Sequence, residues 1–423
     1  MVFSDERSEM LKTELISRTC WWLLIVISFT NRNVQAVIME NHVNHRELER
    51  VCIIGSGNWG SAIAKIVGNN CRRLEFCEQR VNMWVYEEFI EEDGVKQKLT
   101  DIINSKHENV KYLPGIQLPD NVVAMADLEL ACQGATLLIF VLPHQFLPKL
   151  LPLIKKSAHP SSRGVSLIKG LDFDAATHRP VLISQSISNA MDPSHGSFKC
   201  GVLMGANVAD EIAQGQVCES TLACRFDGHD QNEWTRQIFE TPPTLWVQHI
   251  QDVAGAEVCG ALKNVVALGA GFIDGLDLGG NTKAALLRVG LKEIRNFCHL
   301  FFDGVQEDTF TESCGVADLI TSCYGGRNRK CAEAFARKRL DQRNLSGAEL
   351  EQLWIDIETD LLEGQKLQGI RTAKEVYSVL NARNLINSFP LMKSICGIAF
   401  EGEPVATITD GIRITSRGLL SRF

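Results

Sequence analysis

The sequence predicts a doubly wound α/β domain followed by an all-α domain. Up to Pro242-Pro243, short apolar runs alternate with stretches of helical period, the pattern of buried parallel strands joined by helices. From Asp252 to about Cys396 the pattern is helical almost throughout. We therefore predict an α/β domain over residues 49–241 and an α-helical domain over residues 242–405, with an extension before them (1–48) and a tail after them (406–423).

Length and composition restrict the classes of protein that fit. A chain of 423 residues is longer than one ordinary domain, and 45% hydrophobic with 22% charged residues is typical of a soluble globular protein. The net charge of −8 is spread along the chain, so we expect no nucleic-acid partner. The 14 cysteines show no C-x-x-C pair or zinc spacing, which predicts core thiols in a reducing compartment and no metal site.

The predicted strands are short apolar runs, each followed by glycine, proline or polar residues. They are Val51–Ile54, Val81–Tyr86, Thr136–Leu142, Val165–Ile168, Val202–Met204 and Leu245–Val247. Asn58–Val67, just after the first run, has apolar residues at helical spacing. Val253–Ile273 is apolar enough to suggest a membrane span, but its embedded charges and small residues favour a packed core helix.

The extension contains one apolar run, Cys20–Phe29, whose ten residues are about half of what a bilayer-spanning helix needs. A signal-peptide core can be this short, but the preceding acidic residues argue against a secretory or mitochondrial signal. We favour a poorly ordered appendage or a gene-model extension, since Met39 could itself start a complete enzyme.

Gly55–Gly60 reads G-S-G-N-W-G and fits G-x-G-x-x-G between a predicted strand and a predicted helix. In that context Gly55 permits the tight turn, Gly57 lets the backbone approach a pyrophosphate, and Gly60 lets helix and strand pack closely. The motif predicts a Rossmann-type dinucleotide site, with the phosphates at the helix N-terminus.

An acidic residue at the end of the second strand commonly binds the ribose of NAD, and Glu87 or Glu88 is the candidate here. It comes later than usual because Asn69–Arg80 looks inserted. The alternative is two solvated glutamates at a strand end.

Two further candidates follow predicted strands, where ligands lie in such sheets. For His144 we favour a packing or helix-starting role over a catalytic one. Lys169 is either a surface residue or a contact to an anion or carbonyl, and the residues alone leave this open.

Lys263 and Asp318 are lone charges in two apolar helical stretches, so we expect them to meet. Lys263 is then either a catalytic acid or a structural ion-pair partner, and the cofactor loop favours catalysis. In Gly325–Lys330, Arg327 and Asn328 suit a phosphate clamp; the alternative is a helix start with solvated basic residues.

Together these motifs resemble the NAD-dependent glycerol-3-phosphate dehydrogenases of the cytosolic eukaryotic type, from about Arg50 to Val405. Strings in the family's order include G-S-G-N-W-G, H-E-N-V-K-Y-L-P-G, F-V-L-P-H-Q-F, L-K-N-V-V-A and Y-G-G-R-N-R-K. The resemblance implies interconversion of dihydroxyacetone phosphate with NADH and sn-glycerol 3-phosphate with NAD⁺, in a cytoplasmic homodimer without a membrane span.

The resemblance also implies residue roles, with Lys263 as the proton donor and acceptor. The implied catalytic residues are Lys263, Asp318, Lys169 and Asn264. The implied substrate contacts are Lys169, Lys263, Arg327, Asn328 and Ser322. The implied NAD contacts are Gly55, Ser56, Gly57, Asn58, Trp59, Gly60, Tyr86, Phe146, Ala209, Arg327, Lys366 and Gln368.

Two alternatives rank lower. The strings G-G-R-N-R-K and L-K-N-V-V-A argue against another dehydrogenase of this plan, such as a hydroxyacid or 6-phosphogluconate type. A non-catalytic NAD-binding protein would be expected to have lost at least one of Lys169, Lys263, Asp318 and Arg327, and all four are present.

Overall fold

Runs of apolar residues that are buried on both faces form the central strands. Val51 and Ile53 lie in one apolar cluster and Cys52 and Ile54 in another, so the sheet is covered on both sides and its strands read as continuous apolar runs. The computed structural model describes residues 47–92, 94–174, 176–194, 197–341, 345–362 and 367–416. The strands are β1 (Glu49–Ile54), β2 (Cys77–Trp84), β3 (Phe89–Glu92), β4 (Val95–Lys98), β5 (Val122–Met125), β6 (Leu137–Phe140), β7 (Arg163–Ser166), β8 (Leu171–Asp174), β9 (Arg179–Leu182), β10 (Cys200–Met204), β11 (Cys218–Ala223) and β12 (Leu245–Ile250).

The main sheet has the strand order β12-β11-β10-β7-β6-β1-β2-β5, and β3–β4 and β8–β9 form separate hairpins. Its pairs are parallel except for β10 with β11, which is antiparallel. The chain reverses its direction of travel between β1 and β6, which makes a topological switch point at the carboxyl ends of those strands. The predicted Rossmann-type sheet is confirmed, and this is the edge where such folds bind ligands.

The helices cover the sheet in the first half and pack on one another in the second. They are α1 (Asn58–Arg73), α2 (Leu99–Lys106), α3 (Leu128–Cys132), α4 (Leu147–Ser157), α5 (Ile183–Met191), α6 (Ala209–Ala213), α7 (His229–Phe239), α8 (Val253–Gly275), α9 (Gly280–Phe301), α10 (Asp318–Gly325), α11 (Arg327–Asp341), α12 (Gly347–Leu362), α13 (Gln368–Ala382), α14 (Pro390–Phe400) and α15 (Ile408–Ser416).

Helix α8 is the centre of the helical half. Among the described residues it is the one helix long and apolar enough to cross a bilayer, and it is enclosed by protein instead. Its small residues allow this, since a side chain at Gly271 would overlap the backbone of α11 at Arg329. The expected packed core helix is therefore confirmed.

Three boundaries differ from the sequence-based expectations. Helix α1 continues to Arg73 and β2 begins at Cys77, so most of 69–80 is the end of one element and the start of the next, and the insertion stays a prediction. Strand β12 pairs with β11, so the sheet continues beyond residue 241 to Ile250. Helix α15 buries Ile408 and Ile412 in the helical core, so the domain extends beyond residue 405.

The predictions for the cysteines and for the N-terminal extension have different outcomes. Among the described cysteines all are free thiols and all but Cys218 are buried, which confirms their core role. The run Cys20–Phe29 and the predicted poorly ordered extension lie outside the described residues, apart from Glu47 and Leu48.

Candidate active site

The loop Gly55–Gly60 joins β1 to α1 at the switch point. Gly55 has φ +121°, a conformation that L side chains rarely adopt, and a side chain there would overlap the Val141 carbonyl. Gly57 is extended at the N-cap of α1, and the space where its side chain would stand is open. The loop therefore leaves room for a pyrophosphate in front of a helix N-terminus.

Neighbouring segments hold the start of α1. The Asn58 side chain donates hydrogen bonds of 2.9 Å to the Tyr112 carbonyl and to Asp210, which follows Ala209 in α6. The Trp59 side chain packs beside Leu113 in an apolar cluster. The indole of Trp59, which is only partly buried, therefore helps to fix the start of α1.

Two exposed aromatic side chains stand at the same edge of the sheet. Tyr86 follows β2 and is 72% exposed, and Phe146 follows β6 and is 49% exposed. Exposed apolar rings at a ligand-binding edge suit stacking against the planar parts of a dinucleotide.

Glu87 and Glu88 both have protein partners. Glu87 accepts hydrogen bonds from the hydroxyl (2.7 Å) and the backbone N–H (3.3 Å) of Thr100, in the first turn of α2. Glu88 accepts from the Tyr112 hydroxyl (2.5 Å) and pairs with Lys111. Burial raises the pKa of Glu88, but the bonds from Lys111 and Tyr112 outweigh burial and leave the pKa below its usual value. All four carboxylate oxygens thus have donors, and the ribose contact stays a prediction.

Lys263, Asp318 and Lys169 form a charged cluster between α8, the start of α10 and the end of β7. Lys263 pairs with one oxygen of Asp318, and Lys169 donates to the other oxygen at 2.9 Å. Lys263 also donates to the Ser322 hydroxyl (2.7 Å), and Lys169 to the Gly205 carbonyl (2.9 Å). The predicted meeting of Lys263 and Asp318 is confirmed, and the cluster contains two cations for one anion.

Burial decides the electrostatics of Lys263. Desolvation lowers its pKa to about 7; Asp318 opposes this shift and Lys169 adds to it. Lys169 is the more accessible lysine, since its side chain is 22% exposed against 7% for Lys263. An amine with a pKa near neutrality can both give and take a proton at physiological pH.

A π-helical turn, Ser313–Ala317, leads into α10 and places Asp318 at its first position. Such turns are rare and are frequent at functional sites. The Ser313 hydroxyl ties this turn to the Glu219 carbonyl on β11 at 2.7 Å. Asp318 is thereby fixed between the sheet and α8.

A chain of amide hydrogen bonds connects three helices beside the cluster. Asn328 donates to the Asn264 side-chain oxygen at 3.0 Å and accepts from the Gly369 backbone N–H at 3.0 Å. Arg327, the residue before Asn328, is exposed at the start of α11. Asn328 therefore joins α8, α11 and α13 beside the charged cluster, a linking role that sequence reasoning missed.

Gln368 lies next to the loop that carries Lys169. A methyl group built on Gly170 would lie 3.1 Å from the Gln368 amide nitrogen and 3.2 Å from His144 Nδ1. His144 is buried, and neither ring nitrogen has a hydrogen-bond partner among the described residues. Burial, with Arg371 nearby, lowers the pKa of His144, which agrees with a packing role. Lys366 lies outside the described residues.

The protein combines a Rossmann-type sheet that has an open glycine loop with a buried lysine of near-neutral pKa in the helical domain. This combination is that of a nicotinamide-dependent dehydrogenase. The sequence models for the N-terminus and C-terminus of NAD-dependent glycerol-3-phosphate dehydrogenase match residues 50–230 and 252–410. The chain belongs to this family, the NAD-dependent glycerol-3-phosphate dehydrogenases, and is an NAD-dependent oxidoreductase.

Individual relatives agree with the family match. The human cytoplasmic glycerol-3-phosphate dehydrogenase [NAD(+)] is 49% identical over 358 residues, 84% of this chain and 95% of the relative, and the rat enzyme is 48% identical over the same shares. The solved glycerol-3-phosphate dehydrogenase from Saccharomyces cerevisiae has a TM-score of 0.76 at 41% identity, covering 86% of this chain and 99% of that chain. The Plasmodium falciparum structure has a TM-score of 0.76 at 36% identity, covering 86% and 95%.

Proposed function

We propose that this chain interconverts dihydroxyacetone phosphate and sn-glycerol 3-phosphate, with Lys263 as the group that gives and takes the proton. The observation that carries this proposal is the cluster around Asp318, where a buried lysine of pKa about 7 lies beside a partly exposed second lysine. Bound NADH supplies the hydride in reduction, and NAD⁺ accepts it in oxidation.

The surroundings of Lys263 suit proton transfer. Asp318 and the Ser322 hydroxyl accept two of the three ammonium N–H groups, which leaves the third for the substrate oxygen. In reduction the ammonium protonates the carbonyl oxygen as it gains charge, and in oxidation the neutral amine takes the hydroxyl proton. Asp318 and Ser322 therefore orient the acid, while burial tunes its pKa.

The phosphate end of the substrate requires positive charge nearby. Lys169 and Arg327 supply it, because Lys169 is the accessible member of a cluster with excess positive charge and Arg327 is exposed at the start of α11. Asn264 and Asn328 bond each other through their side chains, so they hold α8 and α11 in the geometry that the substrate needs. Lys169 and Arg327, with the two asparagines that hold the helices, form the proposed substrate pocket.

The open space at Gly57 fits a pyrophosphate, so the loop Gly55–Gly60 is the proposed phosphate site for NAD. Tyr86 and Phe146 are positioned to stack on the cofactor, Ala209 packs beside the loop, and Gln368 adjoins the Lys169 loop. Arg327 and Lys366 complete the proposed set of cofactor contacts. A glutamate after β2 that binds the ribose would make the site prefer NADH over NADPH.

The human and rat relatives are named cytoplasmic, which supports a cytoplasmic location for this chain as well. A homodimer is the proposed assembly. Light scattering on a size-exclusion column tests it, since a single monomer-sized species at working concentration contradicts a dimer.

A spectrophotometric assay of NADH oxidation tests the activity. Dihydroxyacetone phosphate should support rapid oxidation, whereas a panel of 2-oxo acids and sugar phosphates should not. If a 2-oxo acid is the better substrate, the assigned substrate is wrong. If no substrate supports oxidation although NADH binds, the chain is an NAD-binding protein without this activity.

A further inference from the structure

Asn109 is a fully buried residue that contacts the phosphate loop from the segment after α2. Its amide nitrogen donates to the Ser56 carbonyl and to the Ser61 hydroxyl, both at 2.8 Å. The Ser61 hydroxyl in turn donates to the same Ser56 carbonyl at 3.1 Å. Both lone pairs of that carbonyl are therefore held by side chains from inside the protein.

The direction of this carbonyl sets the direction of the next N–H. In a trans peptide the C=O and the following N–H point to opposite sides. Because Asn109 and Ser61 hold the Ser56 carbonyl inward, the Gly57 N–H is turned the other way, toward the face of the loop that would receive a pyrophosphate. A rotated 56–57 peptide would present a carbonyl oxygen to the phosphates instead of a donor.

The segment around Asn109 is itself braced. The Asn109 side-chain oxygen accepts from the Tyr112 backbone N–H at 3.2 Å, and the Tyr112 carbonyl accepts from Asn58 at 2.9 Å. The Tyr112 hydroxyl donates to Glu88 after β2. One short segment thus contacts the phosphate loop, the start of α1 and the end of β2.

We propose that Asn109, acting with Ser61, is a positioning residue that presets the phosphate loop for NAD(H) by fixing the Ser56–Gly57 peptide. This inference rests on the proposed cofactor site at that loop. A loop that buried hydrogen bonds hold in its binding conformation need not reorder when the cofactor binds. Loss of the bonds from Asn109 and Ser61 should therefore weaken cofactor binding more than substrate binding.

Replacement of Asn109 by alanine tests whether this residue positions the phosphate loop or only stabilises the fold. Asn109→Ala should raise the Kd and KM for NADH on the order of tenfold, while kcat and the KM for dihydroxyacetone phosphate change by about twofold or less. Asn109→Asp should weaken NADH at least as much, because its carboxylate cannot donate to the Ser56 carbonyl. Ser61→Ala removes one hydroxyl of the same network and should give a smaller change in the same direction.

Asn70 is the matched control, since it is a buried asparagine at the other end of α1. Its amide donates to the Ile238 (2.8 Å) and Glu240 (3.1 Å) carbonyls, away from the loop. Asn70→Ala should lower the melting temperature yet leave the KM for NADH unchanged. If Asn109→Ala and Ser61→Ala keep the wild-type affinity for NADH, or if Asn70→Ala weakens NADH equally, the inference is overturned.

Gly57→Val distinguishes failure of the inference from failure of the cofactor site. Its backbone is compatible with a side chain and the space in front of it is open, so the variant should fold and should exclude the pyrophosphate. Unchanged NADH binding in Gly57→Val would overturn the cofactor site and the inference together. Weaker binding in Gly57→Val but not in Asn109→Ala would overturn the inference alone.

Discussion

Helix α8 takes part in two lysine–aspartate pairs that differ in their charge balance. At its centre, Lys263 and Lys169 share the single carboxylate of Asp318. At its end, Asp274 accepts from Lys283 (2.6 Å) and Arg329 (3.0 Å), and Arg329 also pairs with Glu333. Arg337 joins the second cluster through Glu333 and Asp277. The first cluster therefore has excess positive charge, whereas the second balances three cations with three anions.

This difference separates a reactive pair from a structural one. The balanced group connects α8, α9 and α11, and its charges neutralise one another. The unbalanced cluster has an excess positive charge while Lys263 is protonated, which an anionic substrate can neutralise, and burial shifts the pKa of Lys263 to about 7. A buried lysine–aspartate pair is therefore not evidence of catalysis until the neighbouring charges are counted.

The largest expected effect is on Lys263. Lys263→Met keeps the side-chain size and removes the acid, so kcat should fall by about 10²–10⁴ while NADH binding stays intact. Lys283→Met is the matched control and should keep most of the activity. Steady-state kinetics with a separate NADH titration checks both variants. A Lys263→Met enzyme with more than about a tenth of the wild-type kcat would falsify the assignment.

Removal of Lys169 should act on substrate affinity. Lys169→Met removes a charge-assisted contact to the phosphate, so the KM for dihydroxyacetone phosphate should rise about 10- to 100-fold. The KM for NADH should stay near the wild-type value. Lys374→Met, which removes a surface pair with Glu351, is the control and should change neither constant. An unchanged KM for the phosphate substrate would exclude Lys169 from the pocket.

The pH dependence should differ between the two directions of the reaction. Oxidation needs the neutral Lys263 amine, so kcat/KM for glycerol 3-phosphate should increase about tenfold per pH unit below the pKa and level off above about pH 7. Reduction needs the ammonium and should decline above that pH. Because Lys169 lowers the pKa of Lys263, Lys169→Met should move both midpoints to higher pH. Profiles that are flat through neutrality in both directions would contradict a titrating Lys263.

The smallest kinetic effect is expected in the balanced group. Asp274→Asn leaves Lys283 and Arg329 without a full countercharge, which should cost about 1–3 kcal/mol of unfolding free energy. Its kcat and KM values should stay within about twofold of wild type. Thermal or urea denaturation beside a standard assay measures both. A large loss of activity without a loss of stability would mean that this group is also part of the site.

Much of the site could be predicted because its signals are local. The requirement for glycine at Gly55 follows from the conformation of one residue, and the strand–loop–helix order is visible in a short stretch of sequence. The meeting of Lys263 and Asp318 follows from the cost of burying a lone charge, which needs no knowledge of the fold. The alternation of short apolar runs with helices likewise predicts the sheet, since parallel strands buried on both faces read as continuous apolar runs.

Other features were decided only by the tertiary structure, because they depend on which distant segments meet. The partners of Glu87 and Glu88 lie on α2 and in the segment after it, so the local sequence gives no indication that these carboxylates are hydrogen-bonded within the protein. Lys169 donates to Asp318, which lies 149 residues further along the chain, and Asn109 donates to the Ser56 carbonyl, 53 residues before it. Local periodicity reports which face of an element is buried, but a directional hydrogen bond or a shared charge exists only after the chain has brought both partners within about 3 Å.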